Sequence, residues 1–213
     1  MLINLDGVTA VGKTTLASYI GQTKGFHIVS ETLRGLILPF SAPDNCVDFL
    51  ANQRVIITAI LNQYAGGFEN AIFDTSILEY LIHSAVVCEL KYNSDAYLEF
   101  FKTLETSEVD FGEQFFILLT CSETELYKRK DSDYSRQRKH FSQNLELFKL
   151  KQKIFNVVFQ QNERMLSIDN SQISHLELLQ LIDNFINIPR SGNSISLQKI
   201  MTDIVSAVKQ TRI

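Results

Sequence analysis

Apolar runs of three to five residues alternate along the chain with longer stretches of helical periodicity. Leu2–Leu5, Phe26–Val29, Ala71–Phe73, Phe115–Leu119 and Met165–Ile168 read as five short strands. They are nearly continuous in apolar character, as strands are when a sheet is covered on both faces. Between them, Thr14–Lys24, Val47–Tyr64, Ile77–Leu90, Ala96–Thr106, Glu123–Lys130 and Gln143–Gln161 read as helices. In Val47–Tyr64, Phe49, Leu50, Ile56, Ile57, Ile60 and Leu61 leave a polar face holding Asn52, Gln53, Asn62 and Gln63, the pattern of an amphipathic helix. Strands alternating with helices predict an α/β protein built of βαβ units, with a parallel sheet and helices on both faces. Ile173–Ile186 extends the pattern by one helix, residues 188–194 read as a loop, and Ser196–Lys209 places Ile200, Ile204 and Val208 on one stripe of a last helix. That stripe is expected to pack on the same domain, with dimerisation the alternative.

Residues Gly7 to Thr15 run Gly-Val-Thr-Ala-Val-Gly-Lys-Thr-Thr, matching G-x-x-x-x-G-K-[ST] between the first strand and the first helix. That context marks a phosphate-binding loop. Gly7 and Gly12 let the backbone curl so that successive N–H groups face one anion. The helix beginning near Lys13 adds its positive end. Lys13 supplies a mobile cation for the β- and γ-phosphates, and Thr14 offers a hard oxygen to Mg²⁺. The whole segment, Gly7, Val8, Thr9, Ala10, Val11, Gly12, Lys13, Thr14 and Thr15, is expected to bind a nucleoside triphosphate with Mg²⁺, ATP in the working hypothesis.

Ligands of parallel sheets sit at the carboxyl ends of the strands. That rule selects Asp6, Glu31, Asp74, Thr120 and Asp169. Asp74 is placed to hold Mg²⁺ directly or through water, or to cap the next helix. Glu31 could accept a proton from a substrate hydroxyl or order the substrate; equally, it could begin a helix and pair with Arg34 one turn on. Arg34 is a candidate for a substrate phosphate. Gln53 and Arg54 could face the cleft, the amide reading a base edge and the guanidinium gripping a phosphate, or Arg54 could reach to the surface. Lys128 to His140 is the most basic segment and suits a mobile lid, at about residues 131–141, closing over a triphosphate. His27, His83 and His175 have no partner at metal spacing and are expected to be ordinary core or surface residues.

Composition narrows the class. The chain has 213 residues, 45% hydrophobic, with a net charge of -4 and a pI near 5.6. This fits a single domain with a sizeable core and argues against a dedicated nucleic-acid binder, whose footprint would be basic. No stretch approaches the apolar length of a membrane span. The immediate start on a strand leaves no room for a signal peptide. Cys46, Cys88 and Cys121 are odd in number and widely spaced, which fits reduced, mostly buried thiols and a cytoplasmic setting.

In order, these pieces resemble the P-loop nucleoside and nucleotide kinases, especially the thymidylate kinase and deoxynucleoside kinase branch. The resemblance spans about residues 1–187, the kinase domain, and leaves residues 188–213 as an additional loop and helix. It implies a three-layer P-loop NTPase fold with a five-stranded parallel sheet in the order 2-3-1-4-5 and an arginine-bearing lid. Leu50-Ala51-Asn52-Gln53-Arg54 resembles the substrate-helix segment of thymidylate kinases. Glu31 matches in place the acid that implies a base for a 5′-hydroxyl. Arg136 and Arg138 sit where lid arginines are expected, with catalytic roles implied. Phe73-Asp74-Thr75-Ser76 resembles a segment in which the family carries arginine where Thr75 stands. Homodimers are common in that family, and the apolar helices at Val47–Tyr64 and Ile77–Leu90 could supply the contact.

The expectation is therefore an ATP- and Mg²⁺-dependent phosphotransferase acting on a nucleoside or nucleoside monophosphate. Two alternatives remain open at this point: an NTP-binding regulatory ATPase or switch, and a kinase of a non-nucleoside small molecule.

Overall fold

A computed structural model describes residues 1–31, 43–104, 111–112, 114–132, 145–160, 162–189 and 195–211. Arg34, Arg136, Arg138 and most of the expected lid lie outside the described residues.

The elements run β1 (Leu2–Asp6), α1 (Lys13–Lys24), β2 (His27–Val29), α2 (Cys46–Tyr64), β3 (Ala71–Phe73), α3 (Ile77–Tyr92), α4 (Tyr97–Leu104), β4 (Phe115–Thr120), α5 (Glu123–Ser132), α6 (Leu145–Phe159), β5 (Met165–Asp169), α7 (His175–Asn187) and α8 (Leu197–Thr211). The five strands form one sheet in the order β2-β3-β1-β4-β5, parallel at every pairing. The order that the resemblance implies is the order found.

Strand alternation divides the core into two layers. Ile3, Leu5, Ile117 and Leu119 join Leu16, Ile20, Leu126, Leu178 and Ile182 of α1, α5 and α7. Phe116 and Leu118 join α2, α3, α4, α6 and α8 on the other side. The α8 stripe of Leu197, Ile200, Met201, Ile204, Ala207 and Val208 is buried within that second cluster, and the carbonyl of Ile195 accepts a hydrogen bond from the N–H of Phe111 at 2.9 Å.

The alternation leaves Asn4 and Asp6 of β1 buried and polar. Both make hydrogen bonds, as buried polar groups generally do, although Asp6 Oδ2 has no partner among the described residues. Asn4 Nδ2 donates to Gln114 Oε1 at 3.0 Å and to the Phe115 carbonyl at 3.2 Å, and its Oδ1 accepts from the Tyr64 hydroxyl at 2.5 Å. Asp6 Oδ1 accepts from Ser76 Oγ at 2.6 Å. Ser76 also caps α3 through the N–H of Leu78, so one hydroxyl ties the helix start to the end of β1.

Candidate functional site

Residues Val8 to Thr15 line a cavity of about 440 Å³ together with Glu31, Asp74, Thr75, Arg129 and Ser132. It opens at the carboxyl ends of β1, β2 and β3, where a parallel sheet presents its ligands.

The loop's shape requires its glycines. Gly7 has φ 132° and Gly12 φ 109°, a region that costs an L side chain dearly. A Cβ on Gly7 would also meet the Leu119 carbonyl oxygen at 2.4 Å. Gly12 ends the loop in a left-handed conformation and precedes α1 with no side-chain cap. The first N–H groups of α1 therefore keep the positive helix end turned to the cavity without a competing side chain. Lys13 Nζ donates to the Gly7 carbonyl and, at 3.5 Å, to that of Val8.

Thr14 Oγ1 donates to Asp74 Oδ2 at 2.8 Å. The N–H of Asp74 bonds the Val29 carbonyl at 3.0 Å, fixing the carboxylate at the end of β3. Its other oxygen, Oδ1, is buried and has no hydrogen-bond partner among the described residues. Glu31, just past β2, faces the same cavity. Tyr80, one turn into α3, keeps a buried hydroxyl without a partner among the described residues. Burial, then the charge of Glu31, push its phenol well above the usual range, so it stays protonated as a donor.

Two residues not selected from the sequence, Arg129 and Asn170, brace the loop, and Arg129 is also part of the cavity wall. Arg129 of α5 donates from Nη1 to the Val11 carbonyl at 2.9 Å and to Asn170 Oδ1 at 3.0 Å, and from Nη2 to the Asn170 carbonyl at 2.7 Å. Its Nε bonds Glu125 Oε1 at 2.9 Å, one turn back on the same helix. Asn170 Nδ2 reaches the Val11 carbonyl too, at 2.8 Å. The phosphate-loop backbone is thus held from outside by a guanidinium and an amide. Part of this was readable locally: Glu125 and Arg129 have (i, i+4) spacing, with Arg129 at the start of the basic segment, and Asn170 follows the β5 terminus.

Arg54, Gln53 and Asp169 are not among the residues lining the cavity. Arg54 is exposed, donates to Thr103 Oγ1 and stands over the Phe100 ring at 5.6 Å. Gln53, its neighbour on α2, is buried, with an Oε1 that has no partner among the described residues. Thr75 does line the cavity, but its hydroxyl donates back to the Asp74 carbonyl at 2.8 Å. Asp169 is occupied by Ser171, whose hydroxyl and N–H hold its carboxyl below the usual range.

Beneath the loop lies a buried ionisable cluster. Burial raises the Asp6 carboxyl to about 7, against the Ser76 hydrogen bond and the charge of Lys13. Lys151 of α6 is 4% exposed and pairs with Glu79 of α3. Burial opposes ionisation of Glu79, but Lys151 and Lys13 outweigh it and hold the carboxyl low. Burial, then Lys151, bring His83 down to about 3, so it is neutral and packs edge-on to Phe49. Among the described residues, no group of three His, Cys, Asp or Glu side chains could hold a metal. No helix among them is long and apolar enough to cross a membrane.

No family model and no curated protein matches the chain. Solved structures do. The chain is similar to deoxyadenosine kinase from M. mycoides with products dCMP and dCDP bound, at 19% identity and a TM-score of 0.66, covering 88% of this chain and 98% of that one. The same enzyme with bound dATP matches at 22% identity and a TM-score of 0.66, covering 88% and 100%. EHV4-TK complexed with TP5A matches at 13% identity and a TM-score of 0.57, covering 91% and 65%. The chain has the fold of these kinases.

Proposed function

We propose that the chain is a phosphotransferase moving the γ-phosphoryl group of ATP to the hydroxyl of a nucleoside. The observation that carries this reading is one cavity that joins a glycine-shaped anion cradle, Lys13, the Thr14–Asp74 pair and, across from them, Glu31. The deoxynucleotides named for the M. mycoides enzyme agree with a nucleoside acceptor.

Thr14 Oγ1 and Asp74 fit a Mg²⁺ ion: both offer hard oxygens, and Asp74 Oδ1 is buried with no partner among the described residues. When bound, Mg²⁺ would neutralise charge on the triphosphate and orient it. The protein's own groups do the rest. The loop N–H groups and the head of α1 bind the phosphates. Lys13 exchanges its loop carbonyls for phosphate oxygens. Glu31 accepts the proton of the acceptor hydroxyl. Arg129 and Asn170 keep the cradle in shape for transfer. Arg136 and Arg138 are proposed to neutralise charge on the transferring group.

A nucleoside is preferred over a nucleoside monophosphate because an acceptor phosphate needs free cations. Among the described residues lining the cavity the cations are Lys13 and Arg129, and Arg129 already holds Val11, Asn170 and Glu125. Arg54 is engaged with Thr103 on the exposed side of α2. Arg34 remains the proposed phosphate ligand should a monophosphate be the acceptor.

The test is phosphoryl transfer from Mg-ATP across a panel of nucleosides, nucleoside monophosphates and non-nucleoside alcohols, with an acceptor-free control. Transfer to one or more nucleosides is expected. Slow hydrolysis in every tube with no transferred phosphate would overturn the proposal in favour of a nucleotide switch.

A further inference from the structure

Cys46 and Cys88 are 42 positions apart in sequence, yet their sulfurs approach to 2.9 Å. Cys46 is the first residue of α2, and Cys88 lies in the last turns of α3. Both are free thiols. Contacts that do not involve sulfur hold these two helix ends together. The Tyr92 hydroxyl donates to the Pro43 carbonyl at 2.6 Å. Lys91 Nζ donates to the same carbonyl at 3.5 Å. The rings of Phe49 and Tyr92 meet with centroids 5.8 Å apart. The thiols are therefore juxtaposed by helix packing. A disulfide needs about 2.05 Å between sulfurs, so closing the gap is within the reach of small side-chain rotations.

The two sulfurs differ in access. Cys46 is half-buried and Cys88 is fully buried. Burial, then the neighbouring Cys46 sulfur, raise the Cys88 thiol well above its ordinary value. A reagent from solvent meets Cys46 first, and Cys88 reacts only from within.

We propose that Cys46 and Cys88 are a redox modification site, forming a reversible intrachain disulfide by exchange with a low-molecular-weight disulfide such as oxidised glutathione. In the first step the Cys46 sulfur, losing its proton, attacks one sulfur of the external disulfide. The Cys46–glutathione bond forms, the glutathione S–S bond breaks, and one reduced glutathione leaves with the proton. In the second, Cys88 sulfur, losing its proton, attacks Cys46 sulfur; the Cys46–Cys88 bond forms, the Cys46–glutathione bond breaks, and a second reduced glutathione leaves with that proton. The two cysteines are oxidised and the external disulfide is reduced. The bond ties the first turn of α2 to the end of α3 and closes a loop that contains β3, Asp74 and Gln53. Its formation does not depend on the phosphotransferase reading.

The test equilibrates the full chain in graded mixtures of oxidised and reduced glutathione, blocks remaining thiols, digests without reduction and identifies the linked peptides by mass. Wild type and Cys121→Ser should give a Cys46–Cys88 peptide pair. Their melting temperature should rise by roughly 5–15 °C and return on reduction. Cys88→Ser should stop at a glutathione adduct on Cys46, and Cys46→Ser should leave Cys88 unreacted. Cys88→Ala serves if the serine hydroxyl is not tolerated in the core. The proposal fails if wild type retains both thiols under conditions that convert Cys46 of the Cys88 variant to its adduct. It also fails if wild type accumulates that adduct beside a free Cys88, or if Cys121 is in the bond.

Discussion

The hydroxyl of Thr14 donates a 2.8 Å hydrogen bond to Asp74 Oδ2, joining the first turn of α1 to the end of β3. The two residues are 60 positions apart, and β1 pairs with β3 beside them. Asp74 Oδ1 remains without a partner among the described residues, although a buried carboxylate oxygen normally has one. Replacing Asp74 by Asn keeps an acceptor for Thr14 and removes the charge. Asp74→Asn should melt near wild type, but the Mg²⁺ concentration for half-maximal transfer should rise about tenfold or more. A magnesium titration of initial rates decides; an unchanged midpoint would remove Asp74 from the metal role.

Lys13 Nζ donates to the loop's own carbonyls, those of Gly7 and Val8, which keeps its charge beside the phosphate loop. In the proposed transfer from ATP, it would contribute electrostatic stabilisation at the transferring group. Lys13→Ala should lower kcat by about 10³-fold with an unchanged melting curve. Near-wild-type turnover would contradict the assignment of the loop.

Much of the sheet was legible because its strands are short apolar runs separated by helical periodicity, and the phosphate loop because its glycines and lysine have fixed offsets. The strand-end rule placed Glu31 and Asp74 in the cavity for the same geometric reason. It also selected Asp169, which Ser171 occupies; the rule gives a location and not the side chain's partner. Arg54 shows the limit of helix periodicity. Gln53 and Arg54 are adjacent, so on a helix they point about a quarter-turn or more apart. Gln53 is buried and Arg54 is exposed above Phe100. Arg129 was hidden in a basic run where arginines outnumber readable offsets. Its role depends on Asn170 and Val11, which no local pattern connects to it.

That clamp has its own consequence. Asn170 is 7% exposed and holds Val11 and Arg129 at once. Asn170→Ala removes both bonds and leaves the guanidinium to hold the loop alone. A stability loss of about 1–3 kcal/mol is expected, together with a several-fold rise in KM for ATP and little change in KM for the acceptor. Chemical denaturation and paired KM measurements test this. Equal rises for both substrates would indicate general loosening and not a loop-specific function.

Lys151 and Glu79 form a buried pair between α6 and α3. Removing one partner strands a charge, and such losses run to about 3–5 kcal/mol. Lys151→Met and Glu79→Leu should each be strongly destabilising in urea titrations. The double variant should recover a large part of the loss, since an apolar pair of similar volume replaces a costly ion pair. Additive losses in the double variant would show that the two side chains are not coupled.

Asp6 gives stability a pH dependence whose sign can be worked out. Its carboxyl is raised from 3.8 to about 7, chiefly by burial, with Glu79 adding to the rise while Ser76, Lys13 and Lys151 oppose it. Between those two values the folded protein retains a proton that the unfolded chain has released. The native state binds more protons there, so Asp6 makes stability fall as pH rises through this window, with no further change above it. The full effect is on the order of a few kcal/mol. Asp6→Asn cannot ionise, and its Oδ1 can still accept from Ser76. Unfolding free energies measured from pH 4.5 to 8 should fall more steeply for wild type than for Asp6→Asn. The difference between the two proteins should level off above about pH 7, the raised value at Asp6. Parallel curves would mean that Asp6 ionises in the folded state as readily as in the unfolded chain.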